Sequence, residues 1–226
     1  MPEFNLQSYD VYWLGGSPCS GKSAIAETIT ARRGFSLFKC DDSLFTHLAA
    51  ADPQRQPAMA RAARLSWDER FMRPVEEQVA DVFSIYREEF ELLLELLANY
   101  SQDRPILAEG NAWLPELLGR LGVSPARVVY LVPTREFQVA HYSRREFIGG
   151  ILAQCANPQA AFASWMERDA RFGEEIVAQA RAWGAPVIHI DGRLGLEDTL
   201  RLVEGAWGLS ADLPGSPTPG PPLPGP

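Results

Sequence analysis

The chain has 226 residues, 46% of them hydrophobic, which is enough for one α/β domain with a large buried core. Its net charge of −8 makes it a poor candidate for nonspecific binding to nucleic acid or membrane surfaces, because such binders neutralise phosphates with an excess of basic residues. The three cysteines lie far apart and no apolar run approaches about 18 residues, so we expect no disulfide framework, no zinc site and no membrane span, and we predict a soluble, cytoplasmic protein.

Five short β-rich runs alternate with helical patterns along the chain. The runs occupy 11–15, 35–40, 105–109, 127–132 and 186–191. The predicted helices cover about 22–32, 55–70, 74–100, a long segment from Phe162 to Val177, and 196–207. This alternation favours a mostly parallel sheet with helices on both faces, an α/β fold. His189 alternates within the last run and is predicted to face the core.

The domain organisation follows from two long inserts and a change of composition near the end. Residues 1–211 are predicted to form one domain, with helical insertions at 43–104 and 134–183. From 212 to 226 the chain reads DLPGSPTPGPPLPGP. Such a composition cannot bury a core, so we predict a disordered, partly polyproline tail.

A glycine-rich stretch separates the first run from the first helix. Its sequence, GSPCSGKS, matches the pattern G-x-x-x-x-G-K-[ST]. In such a loop the glycines let backbone N–H groups approach phosphates, the lysine reaches the β- and γ-phosphates, and the last hydroxyl binds Mg²⁺. The sequence therefore predicts a nucleoside triphosphate site formed by Gly16, Ser17, Pro18, Cys19, Ser20, Gly21, Lys22 and Ser23.

Several protein classes share this loop, and other motifs narrow the choice. No N-K-x-D string for guanine occurs, and the third run ends in a lone acid, Glu109, rather than the Asp-Glu pair of motor ATPases. The chain resembles the P-loop small-molecule and nucleotide kinases, which include shikimate, gluconate and uridine kinases and chloramphenicol phosphotransferase. The resemblance covers about residues 10–208 and is carried by GGSPCSGKS, CDDSLF, LAEGN, the arginine-bearing stretch after the fourth run, and HIDG.

The resemblance implies both a fold and a reaction. The fold is the three-layer P-loop NTPase fold, with a five-stranded parallel sheet of order 2-3-1-4-5. The reaction is transfer of the γ-phosphoryl group of ATP, with Mg²⁺, to a hydroxyl of a small molecule. The insertion at 43–104 would bind the acceptor, and the insertion at 134–183 would hold a lid and the helix after it.

Acidic and amide side chains follow the second and third runs, at the sheet edge where ligands of open α/β sheets bind. The resemblance implies that Asp41 or Asp42 orients or deprotonates the acceptor hydroxyl, and we favour Asp41. A helix N-cap is the alternative role for either residue. Glu109 is predicted to hold Mg²⁺ with Ser23 or to contact the acceptor, and a buried salt bridge is its alternative. Asn111 is predicted to line the acceptor pocket.

Arginines after the fourth run are candidates for the lid. The resemblance implies that Arg135 contacts the nucleotide, while Arg144 and Arg145 neutralise charge on the transferring phosphoryl group. The alternative is that they are ordinary surface arginines. Arg168 and Arg171 are second candidates, for which ion pairing on a helix surface is the main alternative.

The acceptor itself is left open by the sequence, as is the oligomeric state. Arg70 and Arg73 lie three residues apart in the first insertion and are predicted to grip an anionic acceptor, a solvated helix face being the alternative. If they do, the protein would be a nucleoside monophosphate kinase. A further alternative is an ATP-binding switch or partner-binding module with slow ATPase activity, which recruits partners through its Pro-rich tail.

Cys19 supports a separate hypothesis. It lies close to Lys22 and to a helix N-terminus, and such surroundings lower the pKa of a thiol. We predict a reactive thiol whose alkylation blocks ATP binding, with an inert packed thiol as the alternative.

Overall fold

The structure is a computed structural model that describes residues 5–209. Its sheet confirms the predicted α/β architecture. Five parallel strands lie in the order β2-β3-β1-β4-β5, so the predicted strand order is correct. The strands are β1 (Val11–Gly16), β2 (Ser36–Lys39), β3 (Ile106–Glu109), β4 (Val128–Pro133) and β5 (Val187–Ile190). The predicted tail at 212–226 lies outside the described residues.

The described residues form ten α-helices, of which nine lie between strands and the last follows β5. They are α1 (Lys22–Arg33), α2 (Asp41–Ala50), α3 (Pro57–Ala62), α4 (Trp67–Phe71), α5 (Val75–Leu97), α6 (Pro115–Arg120), α7 (Arg135–Tyr142), α8 (Glu146–Leu152), α9 (Pro158–Trp183) and α10 (Leu196–Ala206). The end of α1 follows from its sequence, because Gly34 adopts a left-handed conformation (φ 69°) and its N–H bonds to Thr30 O.

Side-chain alternation along the strands divides the core between the two faces of the sheet. On β1, Trp13 packs on the face covered by α5, α6 and α9, whereas Leu14 packs on the face covered by α1 and α10. Tyr130 and Leu131 of β4 divide in the same way. Because β1, β3 and β4 are covered on both faces, they appear in the sequence as continuous apolar runs.

The insertions depart from the sequence prediction. The single helix predicted over 55–70 is two short helices, α3 and α4, and α4 starts at a capping box formed by Ser66 and Glu69. Helix α2, which follows β2 directly, was not predicted. The lid region 134–183 divides into α7, α8 and α9. Buried residues of α7, α8 and the first half of α9 form a separate apolar cluster with Phe71 of α4 and the phosphate-loop residue Cys19, whereas the second half of α9 packs on the sheet.

The prediction that His189 faces the core is wrong. Strand β5 pairs only with β4 and forms one edge of the sheet, so its residues are less covered than those of the central strands. The imidazole is exposed, and its Nε2 lies 3.3 Å from Arg181 Nη2.

Candidate active site

The glycine-rich loop leaves the carboxyl end of β1 against β4. Gly16 has φ 138°, and a Cβ atom there would lie only 1.9 Å from Leu131 O. The Ser17 N–H donates to the same carbonyl oxygen at 3.2 Å, which fixes the start of the loop. Gly21 is the N-cap of α1 with φ 79°, and no side chain caps this helix. The first-turn amides of α1 therefore remain available to an anion.

Lys22 is buried inside the curve of the loop. Its Nζ donates to Ser17 O at 2.8 Å and to Ser20 Oγ at 3.2 Å, so the ammonium group is held by weak, neutral acceptors. Burial lowers the pKa of Lys22, while the negative charges of Glu109 and Asp41 oppose that effect. An incoming phosphate oxygen would replace these neutral partners with a charged one.

Ser23 and Glu109 meet beside the loop. The Ser23 hydroxyl donates to Glu109 Oε2 at 3.4 Å, and Glu109 is buried as the last residue of β3. Burial raises the pKa of Glu109, whereas the nearby charge of Lys22 lowers it. Hydroxyl and carboxylate oxygens are the donors that Mg²⁺ takes, and Mg²⁺ usually gains its remaining ligands from substrate phosphates and waters. Among residues 5–209, no cluster of three or more His, Cys, Asp or Glu side chains forms a metal site of its own.

The loop opens into a cavity of about 460 Å³, within the size range of small-molecule sites. Asp41 of α2 lines this cavity together with Glu109 and Asn111, so three of the predicted acceptor-site residues lie in one place. Asp42, the next residue of α2, is exposed and is not part of the lining. Both aspartates lie inside the first turn of α2, whose N-cap is Cys40, so neither is the N-cap residue.

One lid arginine reaches the cavity. Arg145 lines it, with its guanidinium carbon 5.3 Å from the centre of the Tyr142 ring, and it lies close enough to Cys19 to stabilise the thiolate. Arg144 is exposed and does not line the cavity. Arg135 is engaged elsewhere, in an ion pair with Glu167 of α9.

The two second-choice arginines of α9 have different environments. Arg171 is partly exposed and pairs with Glu167, at 2.8 Å, and with Glu76, as expected for a helix surface. Arg168 donates from Nε and Nη2 to Asp169 Oδ1, at 2.8 and 2.6 Å. The other carboxylate oxygen of Asp169 accepts from Tyr142 and Trp165, two residues of the cavity wall.

Arg70 and Arg73 do not reach the cavity. Arg70 donates to Ala62 O and Leu65 O, where it stabilises the chain between α3 and α4. Arg73 Nη2 donates to Asp81 Oδ2 at 2.6 Å. The prediction that this pair grips an anionic acceptor receives no support from these contacts, because both guanidinium groups are already bound.

The pKa of the Cys19 thiol differs from the predicted direction. Burial raises the pKa of its thiol, and the positive charges of Arg145 and Lys22 only partly offset this, so the expected lowering is wrong. The side chain is 7% exposed and belongs to the apolar cluster under the lid. Within residues 5–209, Cys19 is also the one non-glycine residue with positive φ, at 67°.

Other residues of the site were missed at the sequence level. Five aromatic side chains from five different helices line the cavity: Phe45, Tyr86, Tyr142, Phe147 and Trp165. Glu89 of α5, which is not part of the cavity lining, is buried with its Oε1 3.0 Å from His47 Nδ1. Burial and the charge of Asp41 raise the pKa of Glu89 to about 8. Burial also lowers the pKa of His47.

Comparisons with known proteins leave the family undetermined. No family model and no curated protein matches the chain. The fold is similar to shikimate kinase from Acinetobacter baumannii, solved with shikimate, at 16% identity and TM-score 0.47, over 90% of this chain and 98% of that one. It is also similar to deoxyadenosine kinase from M. mycoides, at 13% identity and TM-score 0.47, over 88% and 98%.

These similarities concern the fold. Within residues 5–209, no helix has the length and apolar character needed to cross a membrane.

Proposed function

We propose that the protein is an ATP- and Mg²⁺-dependent kinase that transfers the γ-phosphoryl group to a hydroxyl of a small molecule. The observation that carries this proposal is the convergence of four groups on one cavity: the Lys22 ammonium in its loop, the Ser23–Glu109 pair, the Asp41 carboxylate, and the Arg145 guanidinium.

The loop and Lys22 bind the phosphates of ATP in this account. Lys22 exchanges Ser17 O and Ser20 Oγ for phosphate oxygens, which are stronger partners for a cation. The uncapped first turn of α1 adds N–H donors and the positive end of the helix dipole. Ser23 and Glu109 hold Mg²⁺, which supplies positive charge to the phosphates when it is bound.

Asp41 and Arg145 act on the transfer itself. The acceptor hydroxyl oxygen forms a bond to the γ-phosphorus, the bond from that phosphorus to the ADP oxygen breaks, and the hydroxyl proton passes to the Asp41 carboxylate. Arg145 balances negative charge on the transferring group. Arg144 and Asp42, which do not line the cavity, are given no role in the transfer.

The test measures ADP formation from Mg-ATP with pooled nucleosides, nucleotides, sugars and hydroxylated antibiotics. We expect one pool to stimulate ADP formation, and we expect Asp41→Asn to lower the stimulated rate by about 10²-fold or more. Asp42→Asn, the matched control on the same helix turn, should retain that rate. Equal losses of the stimulated rate in both variants would contradict the assignment of Asp41 as the group that takes the hydroxyl proton.

The switch alternative gives a different result in the same assay. It predicts slow ADP formation that no acceptor pool stimulates and that does not depend on Asp41. Such a result would overturn the proposed kinase activity.

A further inference from the structure

Two aromatic side chains of the cavity are placed for a ligand rather than for the core. Phe45 of α2 is 74% exposed and Phe147 of α8 is 53% exposed, yet both line the cavity. Tyr86, Tyr142 and Trp165 line the inner part of the cavity, and we call the five aromatic side chains together the aromatic wall. Large exposed aromatics gain little from folding alone, and their grouping around a cavity is typical of sites that stack a flat ring.

The charges of the cavity disfavour an anionic acceptor. Among the described lining residues, the cations are Lys22 and Arg145, and both lie at the phosphate loop, where ATP would engage them. The acids Asp41 and Glu109 lie on the same lining. A carboxylate or phosphate on the acceptor would therefore meet like charge.

Neighbouring arginines are already bound to other groups. Arg168, whose guanidinium carbon lies 5.8 Å from the centre of the Trp165 ring, places two donors on Asp169 Oδ1. Arg70 binds backbone carbonyl oxygens, and Arg73 binds Asp81. To recruit any of them, an anionic acceptor would have to break these contacts.

One polar atom of the lining lacks a partner. Asn111 Oδ1 is buried without a hydrogen bond, and Asn111 lines the cavity. A buried, unpaired carbonyl oxygen costs free energy unless a donor reaches it, so this atom favours a ligand that brings an O–H or N–H group.

We propose that the phosphoryl acceptor is an uncharged molecule in which a flat ring is joined to a free hydroxyl, and that Phe45 and Phe147 hold this ring at the cavity mouth. This inference rests on the proposed kinase function and deepens it by naming the substrate class. It excludes nucleoside monophosphates and carboxylated sugars as preferred acceptors.

The test compares three sets of acceptors in the ADP assay. Uridine, adenosine and chloramphenicol are uncharged alcohols with a flat ring; shikimate and the 3′-monophosphates of uridine and adenosine, which keep the 5′-hydroxyl free, carry a negative charge; ribose and glycerol lack a flat ring. We expect kcat/KM to be highest in the first set and more than about tenfold lower for the matched monophosphates, because of like-charge repulsion. Highest turnover in the second or third set overturns the inference while leaving the kinase intact.

Variants of Phe45 and Phe147 test whether these two side chains clamp the ring of the acceptor at the cavity mouth. Phe45→Ala and Phe147→Ala should each raise the KM for the ring-bearing acceptor about tenfold, with KM for ATP unchanged. The control is Leu202→Ala on α10, which removes an exposed apolar side chain that is 47% exposed and lies outside the cavity lining. An unchanged acceptor KM in both Phe variants contradicts the clamp.

The two proposals fail in different ways. If no acceptor yields ADP above background, the kinase function fails, and binding of the ring-bearing compounds is then measured by isothermal titration in the presence of a non-hydrolysable ATP analogue. Binding that Phe45→Ala and Phe147→Ala weaken about tenfold would support the inferred ring site. Binding no tighter than that of ribose would overturn it.

Discussion

The buried Glu89 gives a pH-dependent stability that one substitution should remove. Its carboxyl is 1% exposed, and burial together with the charge of Asp41 raises its pKa from 4.5 to about 8. Between these two values the unfolded chain has already lost the proton that the folded chain retains. The Glu89 contribution is therefore fully present below about pH 4.5 and is lost as the pH rises towards 8.

The size of the stability change follows from the difference between the two pKa values of Glu89. One pH unit is worth about 1.4 kcal/mol, so the span from 4.5 to about 8 sets a ceiling of about 5 kcal/mol. Relaxation of the surroundings reduces such penalties, and we expect about 2–4 kcal/mol. Glu89→Gln keeps the shape and a hydrogen bond to His47 but does not ionise. Its stability advantage over the parent should grow by that amount between pH 5 and pH 8.5.

The assay is urea unfolding of both proteins at several pH values between 5 and 8.5. Glu91→Gln is the control, because Glu91 lies on the same helix but is exposed. Its stability difference from the parent should stay nearly constant over this range. A constant difference for Glu89→Gln as well would refute the reasoning and show that the buried carboxyl ionises normally.

Three further predictions concern the loop and the lid. Arg145→Ala should lower kcat by about 10³-fold, and Arg144→Ala, the neighbour outside the cavity, should have little effect; equal losses in steady-state kinetics would contradict this. Cys19 should react with iodoacetamide at least about tenfold more slowly in the folded than in the urea-unfolded chain, by peptide mapping, because burial raises its pKa; fast, ATP-protected labelling would contradict this. Gly16→Ala should cost about 3 kcal/mol or more in urea unfolding, whereas Gly119→Ala, whose added Cβ would lie 3.5 Å from its nearest neighbour, should cost little; equal costs would contradict the close approach to β4.

The sheet and the phosphate loop could be predicted because their signals are local. Central strands covered on both faces are continuous apolar runs in the sequence, and the loop has a fixed pattern of glycines, lysine and serine. The strand order came from resemblance rather than from periodicity. The break between α3 and α4 has a local signal, since Ser66 and Glu69 have the spacing of a capping box. The helical pattern across it nevertheless predicts one continuous helix.

The aromatic wall could not be predicted from the sequence. Phe45, Tyr86 and Trp165 come from three separate helices, and aromatic residues at helical spacing are indistinguishable from core positions until the helices are assembled. The arginines posed the same problem. Arg135 and Arg145 follow the same strand, so the sequence does not distinguish them. In the folded chain Arg145 lines the cavity, whereas Arg135 pairs with Glu167 on α9 and does not line it.

Transfer of the γ-phosphoryl group is the central claim, and following its fate tests it most directly. ATP labelled in the γ-phosphate is incubated with Mg²⁺ and the acceptor that best stimulates ADP formation, and the label is located by mass spectrometry. We predict that the label appears in the phosphorylated acceptor with the parent and with Asp42→Asn, and that it is absent from it with Asp41→Asn. Label recovered only as inorganic phosphate would contradict the account, because water would then be the acceptor and the protein an ATPase.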